Sequence, residues 1–216
     1  MTGELLAPQL HEYLDALVPP RPPELEAMEE EAARTRFPIV GPAAGHLCYL
    51  LARMLGARRV FEMGSGFGYS TAWFARAVLE NGGGKVFHVV WDEELSKRAK
   101  THLRTLGLDA LIEYRVGEAV DVLRTTDGPF DVIFNDINKE GYPASLPVIA
   151  SKLRTGGLLI VDNMLWHARI FDTGDRSETT EGVRQFTKAI IADSRWISTV
   201  IPIRDGLLLA WPKPQT

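Results

Sequence analysis

Cysteine is nearly missing from this chain: Cys48 is the one example in 216 residues. An internal disulfide is excluded, and a reducing cytoplasm is the expected setting. Cys48 lies in His46-Leu47-Cys48-Tyr49-Leu50-Leu51 and reads as a core residue rather than a reactive thiol. No apolar run reaches the roughly 18–20 residues of a membrane helix. Met1-Thr2-Gly3-Glu4 lacks a basic leader, so no secretory signal is expected. Excess positive charge is lacking too. The net charge is −4, which gives no basic field to draw nucleic acid or anionic lipid. Repeats and low-complexity tracts are absent. What is there, 45% apolar and 24% charged residues, suits one soluble globular domain over residues 1–216.

Residues 1–36 form an acid-rich helical lead. Pro8 suits a first helical turn, and Leu10, Tyr13, Leu14 and Leu17 recur at helical spacing until Val18-Pro19-Pro20-Arg21-Pro22-Pro23 breaks the pattern. Glu24 to Arg36 predicts a second helix, with Glu29-Glu30-Glu31 as a solvated face, and about Ala43 to Leu55 a third. From Arg59 onward strands and helices alternate. Strands are predicted over 59–63, 85–90, 111–116, 130–135 and 157–161, with helices over about 69–80, 93–106, 118–124, 142–153 and 179–193. Trp196–Ile201 and Gly206–Trp211 close the chain as two further strands joined by a turn. This alternation predicts an α/β fold: a doubly wound, mostly parallel sheet with helices on both faces and a terminal hairpin.

Two of the apolar runs end in oxygen ligands. Phe130-Asp131-Val132-Ile133-Phe134-Asn135 leads to Asp136, and Gly156-Gly157-Leu158-Leu159-Ile160-Val161 leads to Asp162-Asn163. As parallel strands of one sheet they would bring Asp136, Asp162 and Asn163 to its carboxyl edge, where open α/β sheets bind ligands. Oxygen donors without histidine or cysteine suit Mg²⁺ better than zinc. Lys139 stands three residues beyond Asp136 as a proton acceptor. A lysine ammonium is ordinarily charged, so that role requires desolvation or a nearby cation; otherwise the residue is an electrostatic aid. Earlier in the chain, Glu62-Met63-Gly64-Ser65-Gly66-Phe67-Gly68-Tyr69-Ser70 joins a strand to a helix. Such a turn lets a ligand approach the backbone at a helix N-terminus. Its spacing departs from the G-x-G-x-x-G of dinucleotide binders, which weakens a rival reading as a nicotinamide-dependent oxidoreductase.

With these motifs in order, the sequence resembles the cation-dependent O-methyltransferases of the catechol and caffeoyl-coenzyme A type, above all their small bacterial members, over roughly residues 37–211. Glu62-x-Gly64-x-Gly66-x-Gly68-Tyr69-Ser70, Asp136-x-x-Lys139-x-x-Tyr142, Asp162-Asn163-x-Leu165-Trp166 and Pro202-x-x-Asp205-Gly206 carry the likeness. The resemblance implies a Rossmann-like class I methyltransferase sheet of seven strands. It implies a divalent metal on Asp136, Asp162 and Asn163, with Mg²⁺ first and Ca²⁺ or Mn²⁺ as alternatives, and Lys139 near the reacting hydroxyl. It also implies S-adenosylmethionine contacts at Val40, Gly41, Glu62, Gly64, Ser65, Gly66, Ser70 and Asp136, and at Glu118 and Ala119 near the adenine. The substrate would be a small catechol-like or other vicinal diol, and the assembly a homodimer.

One departure concerns the second strand. The family ends it with an acid that grips the cofactor ribose; here Val90 holds that position, and Asp92 follows two residues later. Asp92 reads either as a substitute ribose ligand or as the N-cap of the next helix, and Glu118 as an adenine contact or a helix-start acid. Val90 also supports a second rival, a non-catalytic binding protein on a methyltransferase scaffold. Trp166 reads as a pocket wall and His167 as a loop residue. Arg169, Arg176 and Ser177-Glu178-Thr179-Thr180 read as a site for an acidic substrate tail or as solvated loop.

Overall fold

Strands buried on both faces need largely apolar sequence, and such runs form the centre of the parallel sheet, with a half-exposed strand at its edge. The protein, obtained as a computed structural model, is described over residues 8–214. β1 (Arg59–Met63), β2 (Lys85–Val90), β3 (Ile112–Val116), β4 (Phe130–Asn135) and β5 (Leu153–Val161) are followed by β6 (Trp196–Ile201) and β7 (Leu207–Pro212). The sheet order is β3-β2-β1-β4-β5-β7-β6. β1 to β5 pair in parallel, and β7 runs antiparallel to both β5 and β6. The expected seven-stranded, mostly parallel sheet is present.

The predicted strand ends hold to within a residue or so, except at β5. That strand opens at Leu153, four residues before the predicted start, and its register against β4 slips between Phe130 and Val132. Gly156, at φ 74°, lies inside the irregular stretch, so the glycine pair kinks the strand instead of preceding it.

The helices are α1 (Pro8–Ala16), α2 (Pro23–Thr35), α3 (Gly41–Met54), α4 (Tyr69–Glu80), α5 (Glu93–Thr105), α6 (Ala119–Thr125), α7 (Tyr142–Lys152) and α8 (Glu178–Ala192). Strand alternation divides the core in two. Val60, Val86, Val132, Phe134 and Ile160 face α2 to α5, whereas Phe61, Phe87, Ile133 and Leu159 face α6 to α8. Cys48 is buried in the first of these layers. α2 is part of the same layer: Leu25 and Met28 are wholly buried, each worth about 1.5–3 kcal/mol. Its acidic run is not a plain solvated face. Glu29 pairs with Arg21 at 2.7 Å and accepts from Tyr69 Oη at 2.8 Å, Glu31 pairs with Arg98 at 2.7 Å, and only Glu30 is exposed. α1, by contrast, buries none of its residues. Residues 1–7 of the lead lie outside the described residues. No helix among the described residues is long and apolar enough to cross a membrane.

Candidate active site

The carboxyl ends of β1, β4 and β5 open into a cleft of about 600 Å³. Its walls include Phe37–Val40, Gly64–Gly66 and Ser70, Asp136–Glu140, Asp162-Asn163, Trp166-His167, Thr179 and Arg204-Asp205. The glycine turn sets the spacing. Gly64 stands at φ 90°, and a Cβ there would lie 2.3 Å from the Asp136 carbonyl oxygen. Only glycine lets the end of β1 come this close to the end of β4. Gly64 N and Ser65 N both donate to Val89 O, at 3.1 and 2.9 Å, which ties the turn to β2.

Glu62, at the end of β1, is wholly buried, and neither carboxyl oxygen finds a hydrogen-bond partner among the described residues. Of the nearby hydroxyls, Thr71 Oγ1 meets His88 Nδ1 at 3.1 Å, and Ser65 Oγ accepts from Val89 N at 2.9 Å. Burial pushes the Glu62 carboxyl up to about 7 although the hydroxyls of Thr71, Ser70 and Ser65 draw it down, and burial holds His88 down to about 3, so the imidazole is neutral. An orphaned buried acid of this kind suits a ligand that brings its own donors or positive charge.

On the other side of the turn, Lys139 Nζ donates to Asp136 Oδ1 at 2.8 Å and to Ile137 O at 3.0 Å. The lysine is buried, and its ammonium lies 5.0 Å from the Tyr142 ring centroid and 5.6 Å from that of Trp166. Asp162 follows β5, held through its main chain: Tyr142 Oη donates to Asp162 O at 2.8 Å. Burial raises both carboxyls above the usual range. The charge of Asp136 raises Asp162 further, while Lys139 pulls Asp136 back. Asn163 adopts φ 56° and donates through Nδ2 to Asp205 Oδ2 at 3.3 Å, which leaves its amide oxygen free to act as a ligand.

Among the described residues, no group of three or more His, Cys, Asp or Glu side chains is arranged to hold a metal. The donor set here is different: two carboxylates and one amide oxygen. Two buried acids facing one lysine lack positive charge, and a hard divalent cation with oxygen ligands fits that deficit.

Of the residues predicted from sequence, Val40, Gly64, Ser65, Gly66, Ser70, Asp136, Lys139, Asp162 and Asn163 line one cleft, with Glu62 buried close behind. Asp92, Glu118 and Ala119 do not line it. Asp92 caps α5, accepting from Glu94 N at 2.7 Å and Leu95 N at 3.2 Å, and Glu118 caps α6, accepting from Asp121 N at 2.8 Å. Ala119 is packed into the core. Arg169 turns inward to Asp175 at 2.7 Å, while Arg176 remains exposed. Phe37, Arg204 and Asp205 were given no role from sequence. Arg204 Nη1 donates to Ile39 O at 2.9 Å and so ties two walls of the cleft together. The only sequence signal for Asp205 was its place in the Pro202-x-x-Asp205-Gly206 motif.

A family model described as O-methyltransferase matches residues 21–213. The chain belongs to the O-methyltransferase family. The match takes in α2, in keeping with its buried stripe and unlike a boundary near residue 37. A catechol O-methyltransferase of Niastella koreensis is 29% identical over 180 residues, covering 79% of this chain and 80% of its own. The O-methyltransferase TomG of Streptomyces achromogenes, involved in tomaymycin synthesis and solved with SAM, superposes with a TM-score of 0.85 at 28% identity and covers 95% and 96% of the two chains. The O-methyltransferase of Bacillus cereus, solved with SAH, superposes with a TM-score of 0.86 at 28% identity and covers 95% and 97%. The protein is thus an enzyme of the methyltransferase class, and the rival oxidoreductase reading falls.

Proposed function

We propose that this protein moves the methyl group of S-adenosylmethionine to one hydroxyl of a small acceptor with two neighbouring hydroxyls, a catechol-like compound, with the help of a divalent cation, Mg²⁺ first. The observation that carries this is the meeting of Asp136, Lys139, Asp162 and Asn163 with the glycine turn in one cleft. Support for the donor comes from the SAM and SAH in the solved relatives, and for the acceptor from the catechol relative.

In the reaction the carbon–sulfur bond breaks as the oxygen–carbon bond forms, sulfur keeps the electron pair, and the hydroxyl proton leaves. Most of the protein's work is alignment. Glu62, Gly64, Ser65, Gly66, Ser70 and Val40 would hold the donor. Asp136, Asp162 and Asn163 would hold the cation, which when bound supplies Lewis-acid stabilisation to the acceptor oxygens. Lys139 Nζ would take the hydroxyl proton if it is an amine; as an ammonium it would instead stabilise the deprotonated oxygen, the proton passing to solvent.

Calorimetry with S-adenosylmethionine, S-adenosylhomocysteine and NAD, each with and without Mg²⁺, tests the donor, and turnover of 4-methylcatechol tests the acceptor. Binding of the first two ligands and cation-dependent methylation are expected. Full turnover in chelator would remove the cation, and an absence of both binding and turnover would sink the reading.

We further infer a cytoplasmic homodimer. The lone buried thiol fits a reducing compartment. Leu10, Tyr13 and Leu17 in the lead and Leu50 and Met54 on α3 are exposed apolar side chains that a second subunit would cover. Removing residues 1–36 would also delete the buried stripe of α2, so light scattering on a Leu10→Ser, Tyr13→Ser, Leu17→Ser variant is the cleaner test. A monomeric wild type would refute the dimer.

A further inference from the structure

Between β5 and α8 the chain makes a turn that ordinary residues resist. Trp166, His167 and Ala168 stand in succession at φ 47°, 51° and 65°. Such residues are strained and persist only where their surroundings over-determine them. One side of the turn is held from the β6–β7 connection. His167 N donates to Asp205 Oδ1 at 2.6 Å, and Leu165 N to Asp205 O at 2.8 Å.

On the other side, Arg169 donates to Asp175 Oδ2 at 2.7 Å, and one side chain gathers the main chain of the loop. Arg184, in the second turn of α8, donates to the main-chain carbonyls of Arg169, Ile170, Asp172 and Asp175 at no more than 3.2 Å, and to Glu181 Oε1 at 2.7 Å. Several carbonyls and a carboxylate around one positive charge is how loops hold a metal cation; here the guanidinium is that charge. From this clamp the contacts run to the cleft. Arg169 Cζ lies 5.8 Å from the Trp166 ring centroid, and Lys139 Nζ lies 5.6 Å from the same ring. α8 also abuts the lysine turn, for a Cβ on Gly182 would stand 2.1 Å from Lys139 O.

We infer that Arg184 is a positioning residue that sets acceptor specificity: as a built-in cation it holds the strained turn and keeps Trp166 fixed as a cleft wall beside Lys139. The acceptor class this favours is compact and flat, an aromatic ring lying against a rigid indole. An acidic tail finds no partner in Arg169, which is paired with Asp175.

The test compares Arg184→Ala and Arg184→Lys with wild type in the full-length protein; its kinetic arm alone rests on the proposed methyl transfer. Arg184→Ala is expected to raise the KM for 4-methylcatechol by about tenfold or more while S-adenosylhomocysteine affinity stays within about twofold. It should also open Arg169 to trypsin. Millimolar guanidinium should reverse both effects, and ammonium should not. Arg184→Lys, which keeps the charge and loses donors, should show the same split at smaller size. An unchanged KM, equal losses of acceptor and S-adenosylhomocysteine binding, unfolding of both variants, or no response to guanidinium would overturn the inference. If wild type neither binds S-adenosylhomocysteine nor methylates 4-methylcatechol, the proposed function fails, and trypsin with guanidinium still decides whether Arg184 clamps the loop.

Discussion

Acids stand at the carboxyl edge of this sheet in two places and do different things there. Beyond β2 and β3, Asp92 and Glu118 are exposed, and each gives its carboxylate to the free N–H groups of a helix start. Beyond β1, β4 and β5, Glu62, Asp136 and Asp162 face inward, no helix caps them, and burial raises all three carboxyls. A capping acid is already satisfied, whereas the buried set has too few donors for three acids: Asp136 has Lys139, Asp162 has the N–H of Asn163, and Glu62 has neither, so added positive charge is favoured there. Position in a motif does not separate the two kinds; partners do.

The largest effect is expected where the buried acids would hold the cation. Asp136→Ala or Asp162→Ala should bring methyl transfer down to its level in chelator, a fall on the order of 10⁴-fold if the cation supplies several kcal/mol. Circular dichroism should show the fold intact. Cation-stimulated turnover surviving in both variants would erase the distinction between the two sets of acids.

Lys139→Met removes the positive group between them. It should lower kcat by about 10²-fold or more while S-adenosylhomocysteine affinity stays near wild type. A kcat that does not move would reduce the lysine to a structural partner of Asp136.

Glu62 sharpens the comparison without any substrate. Its folded-state carboxyl is raised to about 7, so between roughly its ordinary value and 7 the folded state holds more proton than the unfolded chain. Its contribution to stability therefore falls as pH rises through that window. Glu62→Gln abolishes this slope, so the variant should gain on wild type from pH 5 to pH 8 by roughly 3 kcal/mol at most, several degrees in Tm. Thermal unfolding of the ligand-free protein at both pH values measures it. An identical Tm difference at the two values would show that Glu62 is not buried as a lone acid.

The smallest effects belong to the capping side. Asp92→Ala should cost about 1 kcal/mol of stability, as loss of an N-cap does, and should leave S-adenosylhomocysteine affinity unchanged. Val90→Glu should tighten that affinity by about tenfold, the worth of one good contact. A tenfold loss on Asp92→Ala would make Asp92 a ribose ligand after all.

Legibility in the sequence followed the same divide between local and tertiary causes. β1, β2 and β4 could be read to the residue because each has an apolar centre bounded by turn and helix-start signals. Asp136 and Asp162-Asn163 were readable because each ends such a run. β5 began early because Leu153-Arg154-Thr155-Gly156 pairs across a bulge, which no periodicity announces. Glu29 and Glu31 look solvated in sequence, since Tyr69 and Arg98 reach them from other helices. Leu25, Met28 and Ala32, at helical spacing, were the signal that α2 is core. Arg184 offered no signal at all: the carbonyls it gathers meet only in the folded loop.

The placing of β7 between β5 and β6 has a consequence for how this molecule is made. Asp136 and Asp162 leave the ribosome well before Asp205, yet Asn163 and the turn at Trp166 are held by Asp205, and Arg204 ties one cleft wall to Ile39 across 165 positions of chain. All five parallel strands precede β6 and β7 in the chain, so their pairing does not wait for the C-terminal hairpin. Its cleft takes final form only when the last strand threads into its slot. Translation thus delivers the scaffold first and the working pocket at the end, so a chain cut short before that strand carries the acids without the lock that orients them.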